Sequence, residues 1–311
     1  GGGHQAQAMK GAPTMEDFVR MADPSAVWLE TAHLLRLMSP TADVRGAKTV
    51  FKDIVDLFAG RYPGYRACNT DYHDLQHTTD TLLAMVRLMH GAVVEGRKFS
   101  DRELAVAVTA ALTHDTGYLQ EESDRGGTGA KYTDCHVDRS AAFMTKYCVR
   151  RGLPEDFQAA CATVLGCTGL HVAIDGVTFE SDSVALLGRM LGAGDILGQM
   201  ADRCYLEKLL FLFYEFQEGR IPGFTDEYDL LAKTIKFYDV TRFRLEGELG
   251  GVHKFMRSHF RERWGVDRDV YADVIGRHID YLRTNLSKHR GDYRGLFKRG
   301  GLVERLKKAR G

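Results

Sequence analysis

Ser100-Asp101-Arg102-Glu103-Leu104-Ala105-Val106-Ala107-Val108-Thr109-Ala110-Ala111-Leu112-Thr113-His114-Asp115 runs from a helix cap through almost unbroken Ala, Val and Leu into a His-Asp pair. Ser100 and Glu103 make a capping box, in which side chains take up orphan N–H groups of the first turn, so a helix begins there. A helix apolar all round is buried all round. The residues at its C-terminal end therefore sit at the centre of the fold, and they are polar. Burying His114 beside Asp115 is costly unless something pairs with them. A cation would do so: a neutral imidazole nitrogen and a hard carboxylate oxygen able to bridge two ions suit Zn, Fe, Mn or Mg rather than a thiolate site. The dipeptide alone also reads as a capped helix end with an incidental His.

Outward from this segment the apolar residues recur every three or four positions, and only six prolines occur in 311 residues, which predicts an all-α fold. A second capping arrangement, Thr14-x-x-Asp17, predicts another helix start. Further helices are expected at about 25–38, 43–59, 74–91, 134–151, 155–171, 183–192, 196–219, 226–247, 251–263 and 269–287. Residues 1–13, opening Gly1-Gly2-Gly3-His4, read as a disordered leader or expression remnant, and 14–311 as one domain with its centre at about 45–250. Hydrophobic residues at 44% and charged ones at 27% exclude disordered, collagen-like and disulfide-scaffold classes. Forty-two basic residues balance forty-two acidic ones, so no global field favours nucleic acid or an anionic membrane. The longest apolar run, Leu209 to Tyr214, is far below the roughly 20 residues that cross a bilayer, and no membrane partner is expected. Six cysteines without a Cys-x-x-Cys pair, and no apolar signal segment, point to a reducing cytoplasm. The stretch Lys288–Gly311 carries nine Lys/Arg against Asp292 and Glu304; it reads as a solvated terminal helix, the alternative being a phosphate or nucleic-acid contact.

A second polar cluster, Tyr72-His73-Asp74-Leu75-Gln76-His77-Thr78-Thr79-Asp80, opens the helix expected at 74. Its two histidines stand four apart on one face, with Asp80 three beyond His77. Asp80 is placed to orient an imidazole from behind, as metal-bound histidines usually require.

Taken together, Tyr72-His73-Asp74-x-x-His77-Thr78-x-Asp80, His114-Asp115 and an isolated Asp195 in Gly192-Ala193-Gly194-Asp195-Ile196-Leu197 resemble the HD-domain metal-dependent phosphohydrolase superfamily. The likeness is greatest to the class I cyclic nucleotide phosphodiesterases, whose signature reads Tyr-His-Asn-x-x-His-Ala-x-Asp-Val. Phe213-Tyr214-Glu215-Phe216-Gln217-Glu218-Gly219 is similar to the Glu-Phe-Phe-x-Gln-Gly stretch after that family's last metal aspartate. The resemblance spans about 45–250 and implies an HD-type helical bundle with a metal site in its central pocket. It implies two divalent ions, with His77, His114, Asp115 and Asp195 as primary ligands and Asp115 bridging. It makes His73 the general acid and places Tyr72, Asp74 and Asp80 behind these groups. Asp74 stands where the family has Asn, and a carboxylate beside the acid would favour imidazolium. The implied reaction is hydrolysis of a small-molecule phosphate ester, a cyclic nucleotide or related diester, in which metal-activated water attacks phosphorus and His73 protonates the leaving alkoxide.

His136, in Cys135-His136-Val137-Asp138, and His171, in Thr168-Gly169-Leu170-His171, fall where many bacterial HD proteins place ligands of the second metal. With both, the set becomes six, like those of cyclic-di-GMP hydrolases and of diiron oxygenases related to myo-inositol oxygenase. Nucleotide or phosphomonoester hydrolysis, diiron oxygenation and non-enzymatic sensing thus stay open as alternatives. Gly126-Gly127-Thr128-Gly129-Ala130-Lys131 lacks the Gly-Lys-Ser/Thr of a P-loop and reads as a mobile lid. Phe237, Tyr238, Phe243, Phe255, Cys161 and Cys167 are expected in the core.

Overall fold

The computed structural model describes residues 11–310; of the expected leader, residues 1–10 lie outside the described residues. At Pro13 the chain is already held, its carbonyl accepting a hydrogen bond from Arg277 Nη2 at 2.5 Å. The fold is all-α. Among the described residues twelve α-helices run in chain order: α1 Pro24–Met38, α2 Val44–Phe58, α3 Leu75–Val94, α4 Asp101–Thr113, α5 His136–Arg150, α6 Glu155–Gly166, α7 Asp182–Met200, α8 Tyr205–Glu218, α9 Glu227–Glu246, α10 Phe255–Trp264, α11 Val270–Asn285 and α12 Leu302–Arg310. Aspartates cap five of them: Asp23, Asp43, Asp74, Asp226 and Asp269 each accept a backbone N–H of the first turn. The Ser100 capping box opens α4 as expected, whereas Thr14-x-x-Asp17 closes only a short 3₁₀ turn. No helix among the described residues is long and apolar enough to cross a membrane.

The centre is α3 more than α4. Every residue of α3 from His77 to Ala92 is buried, and it packs against α1, α4, α7 and α10. Its depth is masked in the sequence by Thr78, Thr79, Asp80, Thr81, Arg87 and His90, polar residues that a hydrophobic pattern assigns to the surface. Helix α4 lies beside it, buried from Val106 to Thr113.

The expected helices 183–192 and 196–219 are divided elsewhere. Helix α7 runs unbroken through Gly192-Ala193-Gly194, and the break falls at 201–204. The glycines are contact points: a Cβ on Gly194 would stand 3.1 Å from the Met85 amide nitrogen, and one on Gly198 3.1 Å from the Asp80 carbonyl carbon. Helices α3 and α7 thus meet backbone to backbone. At the true break Asp202 takes up the Cys204 N–H at 2.8 Å and the Lys208 ammonium at 2.6 Å.

Two surface expectations also change. Phe237 and Phe243 are not core, Phe243 being 81% exposed on α9, while Cys161 and Cys167 are buried as expected. The basic C-terminal stretch ends in the expected solvated helix, α12, whose charged residues are exposed, and it is also strapped to the body: Arg294 grips the buried Glu227 at 2.6 and 2.9 Å, Tyr214 and Tyr293 donate to the same carboxylate, and α12 seats Val303 and Leu306 toward α8.

The backbone contact between α3 and α7 sets a test. Gly194→Val should destabilise the protein by about 1–3 kcal/mol, the usual range for overpacking. In α11, Gly276→Ala, whose added carbon meets nothing within 4 Å, should stabilise it by about 0.5–1 kcal/mol. Urea unfolding midpoints of the two variants check the opposite signs.

Candidate metal centre

Three helix positions build the site. The Asp74 carboxylate caps α3 by accepting the His77 N–H at 2.9 Å, which fixes His77 in the first turn. His114 closes the C-terminal end of α4 with Asp115 next to it, and Asp195 projects from the middle of α7. His77 Nε2 lies 3.1 Å from Asp115 Oδ2 and 2.9 Å from Asp195 Oδ1; His114 Nε2 lies 3.3 and 3.5 Å from the same two oxygens. The two Nε2 atoms are 3.4 Å apart. Ligands bound at about 2.0–2.1 Å stand about 2.9 Å apart at right angles and about 3.4 Å apart at tetrahedral ones. The spacing fits one ion, and His77, His114 and Asp115 form a set able to hold it.

The proton positions agree. His114 Nδ1 lies 2.7 Å from the Ala111 carbonyl, which can only accept, so the N–H is there and Nε2 turns a lone pair inward. Asp115 Oδ2 is buried and accepts no well-directed hydrogen bond, although two imidazole nitrogens are near it. Such an orphaned oxygen is suited to a cation. Without one, burial works against charging His77 but its contacts with Asp115 and Asp195 outweigh burial and push its pKa up to about 10. Burial also works against charging His114, but its contacts with Asp115 and Asp195 outweigh burial and push its pKa well up, so without an ion a proton takes the inward nitrogen that would otherwise offer its lone pair; the charges of His114 and His77 in turn outweigh burial at Asp115 and hold its carboxyl well below the usual range. The cluster demands positive charge in its middle.

The other oxygen of Asp115 faces a third histidine: Oδ1 lies 3.7 Å from His136 Nε2. His136 has the same tautomer, its Nδ1 lying 2.6 Å from the Thr133 carbonyl. It opens α5, which rests on the turn after Asp115 at Gly117; a Cβ there would fall 2.0 Å from the His136 carbonyl oxygen. His171 is not brought in. Helix α6 ends at Gly166, five residues short of the expected stop, and His171 is exposed in the turn beyond.

His73 stands beside the cluster without touching its carboxylates. Its ring is 5.8 Å from that of His77, centre to centre. Nδ1 is 2.9 Å from Glu215 Oε2, while Glu215 Oε1 accepts the Tyr72 and His73 backbone N–H groups. One face stacks on Tyr118 at 4.2 Å, and Tyr118 stacks in turn on His136 at 4.6 Å. The carboxylate beside His73 is therefore Glu215, not Asp74, which caps α3 and lies 3.6 Å from Lys208. Glu215 was legible only as part of the Phe213–Gly219 stretch, with nothing local to assign it a partner. Tyr72 donates to Gln199 at 2.6 Å, and Gln199 donates to the Asp195 carbonyl at 3.0 Å, tying the start of α3 to α7. Asp80 does not orient His77, since His77 Nδ1 and Asp80 Oδ1 both lack a partner. Asp80 instead lines a cavity of about 10 Å³ with Met15, Gly198 and Tyr271, and burial pushes its carboxyl well up. The Gly126–Lys131 loop is fastened rather than a free lid: Lys131 pairs with Asp124 at 2.5 Å, Glu218 accepts the Thr128 N–H at 2.6 Å, and Asn69 accepts the Gly129 N–H at 2.9 Å.

A family model described as Npun_R2479-like matches residues 46–244, well over half of the chain and all of the cluster above. No curated protein matches.

An ion held only by the folded chain raises its stability in proportion to the logarithm of ion concentration over Kd. Chelation should therefore lower the Tm of the purified protein, and in His114→Ala the difference between treated and untreated samples should vanish. Asp115→Ala should lose the most metal, because its two oxygens face both sides of the site. Calorimetry with elemental analysis checks both; a Tm indifferent to chelator and to added Zn, Mn or Fe would sink the metal reading.

Proposed function

The chain belongs to the Npun_R2479-like family, and from its central cluster we propose that it is a metal-dependent phosphohydrolase of the HD type, hydrolysing a phosphodiester such as a cyclic nucleotide. The observation that carries this reading is the convergence of His77, His114, Asp115 and Asp195 on one point, with the His73–Glu215 pair beside them and out of ligating contact. His77, His114, Asp115 Oδ2 and Asp195 would hold one divalent ion; Asp115 Oδ1 and His136 face the place of a second. Bound ions would lower the pKa of water toward neutrality and draw charge from the phosphoryl group.

The remaining work falls to His73. Its Nδ1–H is committed to Glu215, which fixes the tilt of the ring. Stacking on Tyr118 fixes the ring plane. The free edge, Nε2, is left to deliver a proton to the departing oxygen. An unactivated ribose alkoxide needs that proton, and a positioned acid argues for a diester. Exposure of His171 leaves the six-ligand set of the oxygenase reading one residue short. Phosphomonoester hydrolysis would use the same four ligands, and a substrate screen separates the two. A reducing cytoplasm suits the six free thiols.

His73→Ala should keep its metals and lose about 10²–10⁴-fold in kcat toward a 3′,5′-cyclic nucleotide, the usual contribution of a general acid. It should lose much less toward bis(p-nitrophenyl) phosphate, whose phenolate leaves unprotonated. Glu215→Gln should follow His73→Ala in kcat with KM little changed. An equal fall on both substrates would refute the acid role.

A further inference from the structure

Helix α5 does more than place His136. Its first turns grip the loop after the His-Asp pair at three backbone atoms: Arg139 Nε donates to the Gly117 carbonyl at 2.7 Å and Nη2 to the Leu119 carbonyl at 2.9 Å, while Ser140 Oγ accepts the Gly117 N–H at 2.8 Å. Gly117, Tyr118, Leu119 and Ser140 are all buried, so these bonds are shielded from water. Arg139 stands three residues after His136, on the same face of the helix. Its planar fork meets carbonyls on both sides of Tyr118, and the guanidinium lies on the Tyr132 ring, Cζ 3.5 Å from the ring centre. Tyr132 is held in turn by its hydroxyl, which donates to Asp124. The residue clamped in this way, Tyr118, carries the ring that stacks on His73 at 4.2 Å and on His136 at 4.6 Å. The clamped turn begins at Asp115, whose Oδ1 faces His136 Nε2 at 3.7 Å. The two sides of the site are unequally equipped. Four side chains converge on the side of His77 and His114, whereas Asp115 Oδ1 and His136 furnish the other. An ion on that poorer side depends on how firmly its few donors are held from behind.

We propose that Arg139 is a positioning residue for the second ion: by fastening the turn after Asp115 to α5 it sets the gap between Asp115 Oδ1 and His136 Nε2 and keeps the Tyr118 ring against both His136 and His73. This rests on the reading of Asp115 and His136 as donors to a second ion and goes beyond it, since Arg139 hydrogen-bonds to neither. A lysine cannot take its place. An ammonium is a point charge on a flexible stem, whereas the guanidinium presents two donors in a fixed fork and a flat face to the Tyr132 ring.

Calorimetric titration of the metal-free full chain with Mn(II) reads both ions without turnover. The unaltered protein should bind two, the second more weakly. Arg139→Ala should weaken the second by about 10–100-fold, the usual effect of removing a group that holds a ligand in place, and leave the first unchanged. Arg139→Lys should fall with it. Tyr132→Leu, a milder change that keeps the guanidinium and removes the ring it lies on, should shift the second ion in the same direction by less. A proportional loss of both ions would mean a general loosening of the fold, and unchanged binding in Arg139→Ala or full affinity in Arg139→Lys would mean that the fork holds nothing the second ion needs; each overturns the proposal. One ion in the unaltered protein overturns it too, while leaving a one-ion phosphohydrolase standing. Two ions that respond to Arg139 as expected, with no hydrolysis of any phosphate ester, would uphold the role of Arg139 and overturn the phosphohydrolase.

Discussion

The buried Asp115 carboxylate and the partly buried Asp195 carboxylate face two buried imidazoles at 2.9 to 3.5 Å, and that arrangement is unstable unless positive charge lies between them. Both carboxylates are acceptors only, and His114 turns a lone pair toward them. A proton shared among the imidazoles meets the demand partly; a divalent ion meets it fully and satisfies the orphaned Asp115 oxygen. Much of the fold can be understood as the means of holding these groups together. The glycine contacts between α3 and α7 bring Asp195 close to His77, the end of α4 delivers His114 and Asp115 to the same point, and Gly117 lets the start of α5 close over them.

Around this cluster the histidines differ in what each Nδ1 touches. Backbone carbonyls take it in His114 and His136, which turns Nε2 toward the carboxylates. In His73 a carboxylate, Glu215, takes it instead.

The helical class and most helix positions were legible because apolar spacing and capping residues are local signals. The cluster residues His77, His114 and Asp115, a set able to hold a metal ion, were legible because they sit in short motifs at helix ends, and Asp195 because of its place in the order of motifs. What escaped depended on contacts between distant segments. Gly192 and Gly194 resembled a break because glycine disfavours isolated helix, whereas here Gly194 lets α7 touch α3 and Gly192 lies against the Cys167 carbonyl. Asp74 looked like the partner of His73 because it is adjacent, but its carboxylate is taken by the helix cap and Lys208, and the partner comes from α8, 142 residues away. Asp80 lay on the expected face yet points toward Met15 and Tyr271. His171 fell in the right interval, but α6 stops before reaching it.

The central claim is that the four-donor cluster binds a divalent ion. A crystal of the protein grown with its metal retained, with data collected on either side of that metal's absorption edge, tests it directly. The account predicts an anomalous peak about 2.0–2.3 Å from His77 Nε2, His114 Nε2 and an oxygen of Asp115, with Asp195 completing the set and His73 outside bonding distance. No peak in crystals soaked with Zn or Mn, with His77 Nε2 still in direct contact with Asp195 Oδ1 at about 2.9 Å, would contradict it.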